Sequence, residues 1–166
     1  MPAARSLSLT QMSDEDLEDL DSASCLDLLG TLDVGRCAWV AEDGRVVVLP
    51  VNFAIEEGDI IFRSAAGAKL AAARAGQRFS FEGDDVEPAL RTGWSVLVTG
   101  WASEVSDPEE AARLAQLVHP WAQDQRPNVV RLHSDQVTGR RLRLRAGGTR
   151  IVYLDPDSGG PASEQE

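Results

Sequence analysis

The sequence predicts a mainly β fold, an antiparallel barrel with peripheral helices as plugs, and three observations carry that expectation. Short segments rich in β-branched and aromatic residues recur from Gly35 onward. Turn residues separate them at hairpin spacing, as in Glu42-Asp43-Gly44 and Glu56-Glu57-Gly58-Asp59. Helical signatures fall only ahead of or between groups of strands, an order that suits hairpin-joined strands closed into a barrel better than a parallel sheet. At 166 residues the chain fits one domain with one core, and no repeat of fixed period points to a solenoid or propeller.

Each element has its own reason. Residues 22–32 read as a helix: Ser22 or Ser24 caps it, and Leu26, Leu28, Leu29 and Leu32 form a mostly one-sided apolar face behind acids that suit a helix N-terminus. Residues 36–41, 45–55 and 60–64 read as a meander whose turns take positive φ at Gly44 and Gly58. Pro50 cannot donate to a ladder, so a bulge or an unpaired edge is expected there, where a ligand can reach backbone groups. Residues 65–75 are alanine-rich and helical, closed by Gly76.

Residues 78–82 return to strand, 87–92 form a loop, and 93–106 are a second long strand. On the latter, Trp94, Val96, Val98 and Gly100 alternate with Ser95, Leu97, Thr99 and Trp101; both faces are expected to be covered, with Trp101 in the core. Asp107 caps a helix that runs to about Leu117, with Pro108 at its first position and Glu109 and Glu110 in its first turn. Residues 128–134 and 139–144 read as two closing strands and 149–153 as a last short one. Both ends lack the apolar content that would offset the cost of ordering them. The expected domain is therefore 14–154, between a flexible stretch at 1–13 and a disordered acidic tail at 155–166.

Composition narrows the function classes. The formal charge of −11 disfavours nucleic acid as a partner, because phosphate binding needs a basic face. Six arginines nevertheless lie between Arg131 and Arg150 with Asp135 as the only acid among them; that segment faces a phosphate, an acidic surface or simply solvent. Cys25 and Cys37 lack metal or disulfide spacing and read as buried thiols, and with His119 and His133 the only histidines, no metal site is expected. No apolar run is long enough to span a bilayer and no signal-peptide order opens the chain, so a soluble, cytoplasmic protein with no membrane partner is expected.

The chain lacks a GxSxG elbow, a Walker A loop, a GxGxxG after a strand and a convincing Cys–His pair, so no side chain is assigned a catalytic role. Lys69 is the only lysine beside fifteen arginines. It follows Arg63, Ser64, Ala65 and Gly67 at the end of a predicted strand. That segment fits a phosphate cradle: a guanidinium fork, a hydroxyl, an ammonium and the first amides of the next helix. The alternative is a solvated face of an alanine-rich helix behind an ordinary strand-end cation.

Several segments taken together resemble the pyridoxamine 5'-phosphate oxidase-like flavin-binding family. They are Val34-Gly35-Arg36, Leu49-Pro50-Val51-Asn52-Phe53, Ile61-Phe62-Arg63-Ser64, Gly67-Ala68-Lys69-Leu70, Phe79-Ser80-Phe81-Glu82, Thr92-Gly93-Trp94-Ser95-Val96 and Val137-Thr138-Gly139-Arg140. The similarity runs over about residues 22–144 with order and spacing intact. It implies an antiparallel split β-barrel of the FMN-binding type, a homodimer holding FMN in a groove between subunits, with Trp94 and Phe53 as interface anchors.

By that resemblance Pro50, Val51, Asn52 and Phe53 line the isoalloxazine, Phe62, Arg63, Ser64 and Ala65 follow the ribityl chain, and Arg63, Ser64 and Lys69 hold the phosphate. Trp94 and Ser95 approach the ring or its tail, including from the other subunit. The clustered basic and tyrosine positions of pyridoxamine 5'-phosphate oxidases proper are not found, which points to the flavin reductase and nitroreductase-like branch. The implied function is an FMN-dependent oxidoreductase acting on a small molecule, with the flavin doing the hydride chemistry. A reductase using a deazaflavin coenzyme, its longer acidic tail held by arginines of the 131–145 segment, is the second reading. A non-enzymatic dimer binding flavin, or haem through His119 or His133, is the third.

Overall fold

A computed structural model describes residues 17–119, 121 and 126–143. In chain order the elements are β1 (Leu17–Leu20), α1 (Ser22–Leu29), β2 (Val34–Val40), β3 (Val46–Glu56), β4 (Asp59–Ser64), α2 (Ala68–Arg74), β5 (Arg78–Glu87), β6 (Thr92–Glu104), α3 (Pro108–Leu117) and β7 (Asn128–Leu142). The strands pair antiparallel in the order β1-β7-β4-β3-β2-β5-β6, and β6 also pairs with β7, which closes a barrel. The predicted mainly β, antiparallel split barrel is the fold observed. The expected strand at 149–153 and both expected loose ends lie outside the described residues. No helix among the described residues is long and apolar enough to cross a membrane.

The hairpins follow their turn residues. Glu57 (φ 54°) and Gly58 (φ 86°) both take positive φ between the paired Glu56 and Asp59, the two-residue geometry whose twist matches the strands it joins. Gly76 (φ 64°) ends α2, as expected, but α2 begins only after Gly67, three residues later than its composition suggests. In α1 the cap is Asp21 and not a serine: its carboxylate accepts from the Ser24 amide at 2.8 Å, and Gly30 ends the helix short of Leu32. Asp107 caps α3 as predicted, accepting from the Glu110 amide at 2.7 Å.

Three strands depart from expectation. β1 forms from Leu-Glu-Asp-Leu, a poor strand sequence, because it adds to the free edge of β7 and its acids meet arginines there: Asp19 takes Arg140 Nε at 3.1 Å and Glu18 takes Arg143 Nε at 2.9 Å. β5 continues to Glu87, drawn out by its ladder with β6. The two expected closing strands are one strand, β7, and the polar stretch between them is a bulge at Asp135, where the register to β6 steps from Gln136 to Ser134.

The barrel interior is aromatic. Phe53 packs on Phe81 with centroids 4.6 Å apart, Trp39 stacks on Phe79 at 5.4 Å, and Phe62 lies 6.5 Å from Phe79. α1 lies against glycines of the wall: a Cβ on Gly83 would meet Leu29 at 2.5 Å, and one on Gly139 would meet the Cys25 sulfur at 2.6 Å. A second, smaller core lies outside the wall, where Leu114 and Val118 cover Ile61 and Val129. The expectation that both faces of β6 are covered fails: Leu97 and Trp101 are exposed, because no element among the described residues lies over that face. Trp101 is therefore not core; its ring carries the Arg78 guanidinium 4.8 Å from its centroid.

Candidate functional site: the split between β3 and β4

β3 changes partners along its length. Residues 46–52 pair with β2, and residues 53–56 pair with β4, so the β3–β4 ladder ends at Phe53 opposite Phe62. Beyond that pair the strands diverge, β3 toward Pro50 and β4 toward Ser64 and α2. Residues 50–53 and residues 62–65 with Lys69 thus occupy two lips of one split. Pro50 keeps register with Arg36 without a bulge, and the expected unpaired edge is the side of β3 facing the split.

On the β3 lip, Val51 and Phe53 point into the core, while Pro50 is exposed. Burial removes Phe53 from the candidate interface anchors. Asn52 ties the lip to two loops: its Nδ2 donates to the Asp33 carbonyl at 3.1 Å, and its Oδ1 accepts from the Trp121 amide at 3.1 Å.

On the β4 lip the pleat separates Phe62 and Ser64, which face the barrel, from Arg63, which faces outward. Ser64 is buried, its hydroxyl donating to the Ala65 carbonyl at 2.9 Å and its carbonyl accepting from Asn128 Nδ2 at 3.0 Å. Arg63 Nε donates to the Arg126 carbonyl at 2.9 Å. Ala65 is exposed at the turn into α2, and Gly67 gives that helix no side-chain cap.

Lys69 is half-buried with its ammonium 5.3 Å from the centre of the Phe62 ring. Burial pulls its pKa below the ordinary lysine value, the Cys37 thiolate form opposes that shift, and the positive charge of Arg126 adds to it. Burial likewise pushes the Cys37 thiol up, with Lys69 acting in the opposite direction. A solvated helix face is therefore excluded for Lys69, and no carboxylate pairs with it among the described ion pairs. Arg63, Lys69 and Arg126 form a cationic corner at the end of β4 beside uncapped amides. Sequence reasoning missed Arg126, which stands in a loop as one arginine of fifteen.

Trp94 and Ser95 are elsewhere. They stand on β6 between β5 and β7, opposite Asp85 and Asp84 on one side and Arg141 and Arg140 on the other. There they line a groove of about 450 Å³ with Arg36, Glu82, Asp84 and Val86. Arg36 Nη1 donates to Glu82 at 2.9 Å and to Asp84 at 2.5 Å. Within one chain the groove meets the β3 lip at Arg36, which pairs with Pro50 across the β2–β3 ladder.

Three arginines of the 131–143 segment are engaged by this chain's own acids. Arg131 donates to Asp59 at 3.3 Å and to Glu110 at 2.6 Å, while Arg140 and Arg143 serve β1. His133 has both ring nitrogens engaged, with Ser103 at 3.1 Å and Asp59 at 3.3 Å. His119 Nδ1 lies 3.1 Å from the Leu117 carbonyl. No group of three potential metal ligands occurs among the described residues.

Comparison with known proteins agrees with this architecture. A family described as pyridoxamine 5'-phosphate oxidase matches residues 21–141. The uncharacterized protein Rv0080 of Mycobacterium tuberculosis is 38% identical over 135 residues, covering 78% of this chain and 88% of its own. A solved FAD binding protein from Mycobacterium smegmatis is 31% identical with a TM-score of 0.58, over 76% of this chain and all but 1% of that one, which is covered to 99%. A solved FAD-binding protein from Mesorhizobium loti is 27% identical with a TM-score of 0.61, covering 75% of this chain and 96% of its own. Fold, motif order and similarity along most of the chain agree: this protein belongs to the pyridoxamine 5'-phosphate oxidase family.

Proposed function

We propose that this chain is a flavin-dependent oxidoreductase that binds FMN in the β3–β4 split and acts as a homodimer on a small molecule. The observation that carries the reading is the split itself. One lip offers an open backbone edge at Pro50 and Asn52 beside the apolar Val51 and Phe53, and the other ends in the cationic corner of Arg63, Lys69 and Arg126. An anionic tail with a flat, polar-edged ring fits that pair of surfaces. Ala65 lies exposed on the path between them, with Phe62 and Ser64 buried beneath it.

When bound, the flavin supplies the hydride and electron transfer. The residues of the chain bind, orient and shield. Lys69 and Arg63 hold the phosphate by charge-assisted hydrogen bonds, with the α2 amides as further donors. Asn52 sets the position of the β3 edge through its two loop contacts. The aromatic interior beneath Phe62 keeps water from one side of the split.

A dimer accounts for two further features. The outer face of β3, β2, β5 and β6 is uncovered and carries Val46 (70% exposed), Val48, Val40 and Leu97. Trp94 and Ser95, separated from β3 within one chain by β2 and β5, approach the cofactor of the partner subunit in this reading. FAD is the second reading, because relatives at 31% and 27% identity are described as FAD binding proteins. A deazaflavin coenzyme would compete with acids of this chain for Arg131, Arg140 and Arg143, and haem ligation through His133 would compete with Ser103. The free thiols Cys25 and Cys37 suit a reducing cytoplasmic compartment.

The test is titration of the purified protein with FMN and with FAD, followed by tryptophan quenching, on the natural chain and on Lys69→Ala. Micromolar or tighter FMN binding is expected, with a loss of about tenfold or more in the variant, the equivalent of about 1.4 kcal/mol. Light scattering on the same samples is expected to give a dimer. Quenching by neither flavin, or a monomer that binds FMN undiminished after Lys69→Ala, overturns the proposal.

A further inference from the structure

The outer face of the barrel near the end of β6 carries a constellation that flavin binding does not use. Ser103 lies directly across the β6–β7 ladder from Arg131, and Trp101 from His133, so the four side chains share one face. His133 Nε2 stands 3.1 Å from Ser103 Oγ, and its Nδ1 stands 3.3 Å from Asp59 Oδ2. Asp59 is fixed in turn: its Oδ1 accepts from the Ser134 amide at 3.0 Å and its Oδ2 from Arg131 at 3.3 Å. The His133 side chain is 53% exposed and that of Asp59 only 20%, so the hydroxyl end faces solutes while the carboxylate end is shielded.

We infer that Ser103 is a nucleophile, activated by His133 and held in order by Asp59, that accepts an acyl group from small activated esters. The sequence hydroxyl, imidazole, carboxylate is the arrangement in which an imidazole takes a proton at Nε2 while a carboxylate beside Nδ1 offsets the positive charge it gains. Ser103 Oγ bonds to the ester carbonyl carbon and its proton passes to His133 Nε2. The acyl C–O bond then breaks and the departing alcohol takes that proton. Water attacks the acyl-serine by the same route, releasing a carboxylic acid and restoring the hydroxyl. Asp59 steadies the imidazolium that forms.

The surroundings select the substrate class. Arg131, across from Ser103 and mostly buried, places positive charge on the face where the oxyanion develops, although its hydrogens are directed at Asp59 and Glu110. The part of the Trp101 ring that Arg78 leaves exposed, beside His133, gives an apolar rest for a short acyl or aryl group. These residues come from β4, β6 and β7, which is why no local motif announces them.

The test uses the full chain with p-nitrophenyl acetate and, separately, a fluorophosphonate, whose phosphorus bonds to the serine oxygen as fluoride leaves. An adduct mapped to Ser103 by peptide mass spectrometry is expected, absent in Ser103→Ala and formed about a hundredfold more slowly in His133→Ala, the scale of a general base. Nitrophenol release is expected to fall in parallel. Labelling of the natural chain in urea needs no variant and is expected to lose the Ser103 adduct. No Ser103 adduct on the folded protein, equal labelling in urea, or an undiminished rate in a folded His133→Ala overturns the inference.

Discussion

Gly100→Ala probes the place where β6 and β7 meet at the bulge. A Cβ on Gly100 would lie 1.7 Å from the His133 carbonyl oxygen and 2.8 Å from its carbon. Ordinary contact begins at about 3.5 Å, so the strands would have to part by well over about 1 Å. The obstacle is backbone, and no side-chain rotation removes it. Parting the strands there breaks the ladder at Gly100 with Ser134 and at Trp101 with His133. Two backbone hydrogen bonds left unmade at about 2 kcal/mol each give a loss of about 4 kcal/mol. For a domain of this size about 1 kcal/mol moves Tm by about 2–4 °C, so the variant is expected to melt about 8–16 °C lower. Circular dichroism melts at one protein concentration measure this, since a dimer's Tm depends on concentration. Gly76→Ala is the comparison: φ is 64° and nothing lies within 4 Å of its Cβ, so only backbone strain of about 1–2 kcal/mol is added. A fall at Gly100→Ala of under about 4 °C, or no larger than at Gly76→Ala, refutes the contact argument.

Burial lowers the Lys69 pKa, so between that lowered value and the ordinary lysine value the unfolded chain binds more protons than the folded one. The contribution of Lys69 to stability therefore rises with pH through that window, and urea unfolding at about pH 7 and about pH 10 is expected to show a smaller gain for Lys69→Met than for the natural chain. Equal gains would show that the amine is not buried. Cys25 and Cys37 are buried and burial raises both thiol pKa values, so a thiol reagent is expected to modify neither in the folded protein and both in denaturant. Rapid reaction of Cys37 in the folded state would mean that the barrel core opens to solvent.

Where local chemistry decides structure, the sequence was readable. The meander of β2 to β4 follows from alternation and from turn residues that tolerate positive φ, and α3 follows from Asp107 and Pro108. β1 was not readable, because Leu-Glu-Asp-Leu becomes a strand only through Arg140 and Arg143, 121 and 125 residues away. The polar stretch around Asp135 read as the end of a strand when it is a bulge inside one, since a single sequence does not reveal what an opposing strand leaves unpaired. Lys69 stood out by rarity, yet its place over Phe62 and near Cys37 depends on how α2 meets the barrel. The same limit hid Arg126, and it hid the Ser103, His133 and Asp59 cluster, assembled from three strands.

The closing role of β7 has a consequence for how the chain is made. This strand takes ladder partners from β1, β4 and β6, and its link from Glu18 to Arg143 spans 125 residues, while Asp59 to Arg131 spans 72. Such distant pairings place the protein among slow folders, because loop closure must be met before the contacts reward it. During synthesis the ladder edges of β4 and β6 stay open until residues 128–142 have left the ribosome. A chain halted before that point offers two unpaired β edges to its neighbours, the condition under which nascent β-proteins aggregate or require a chaperone.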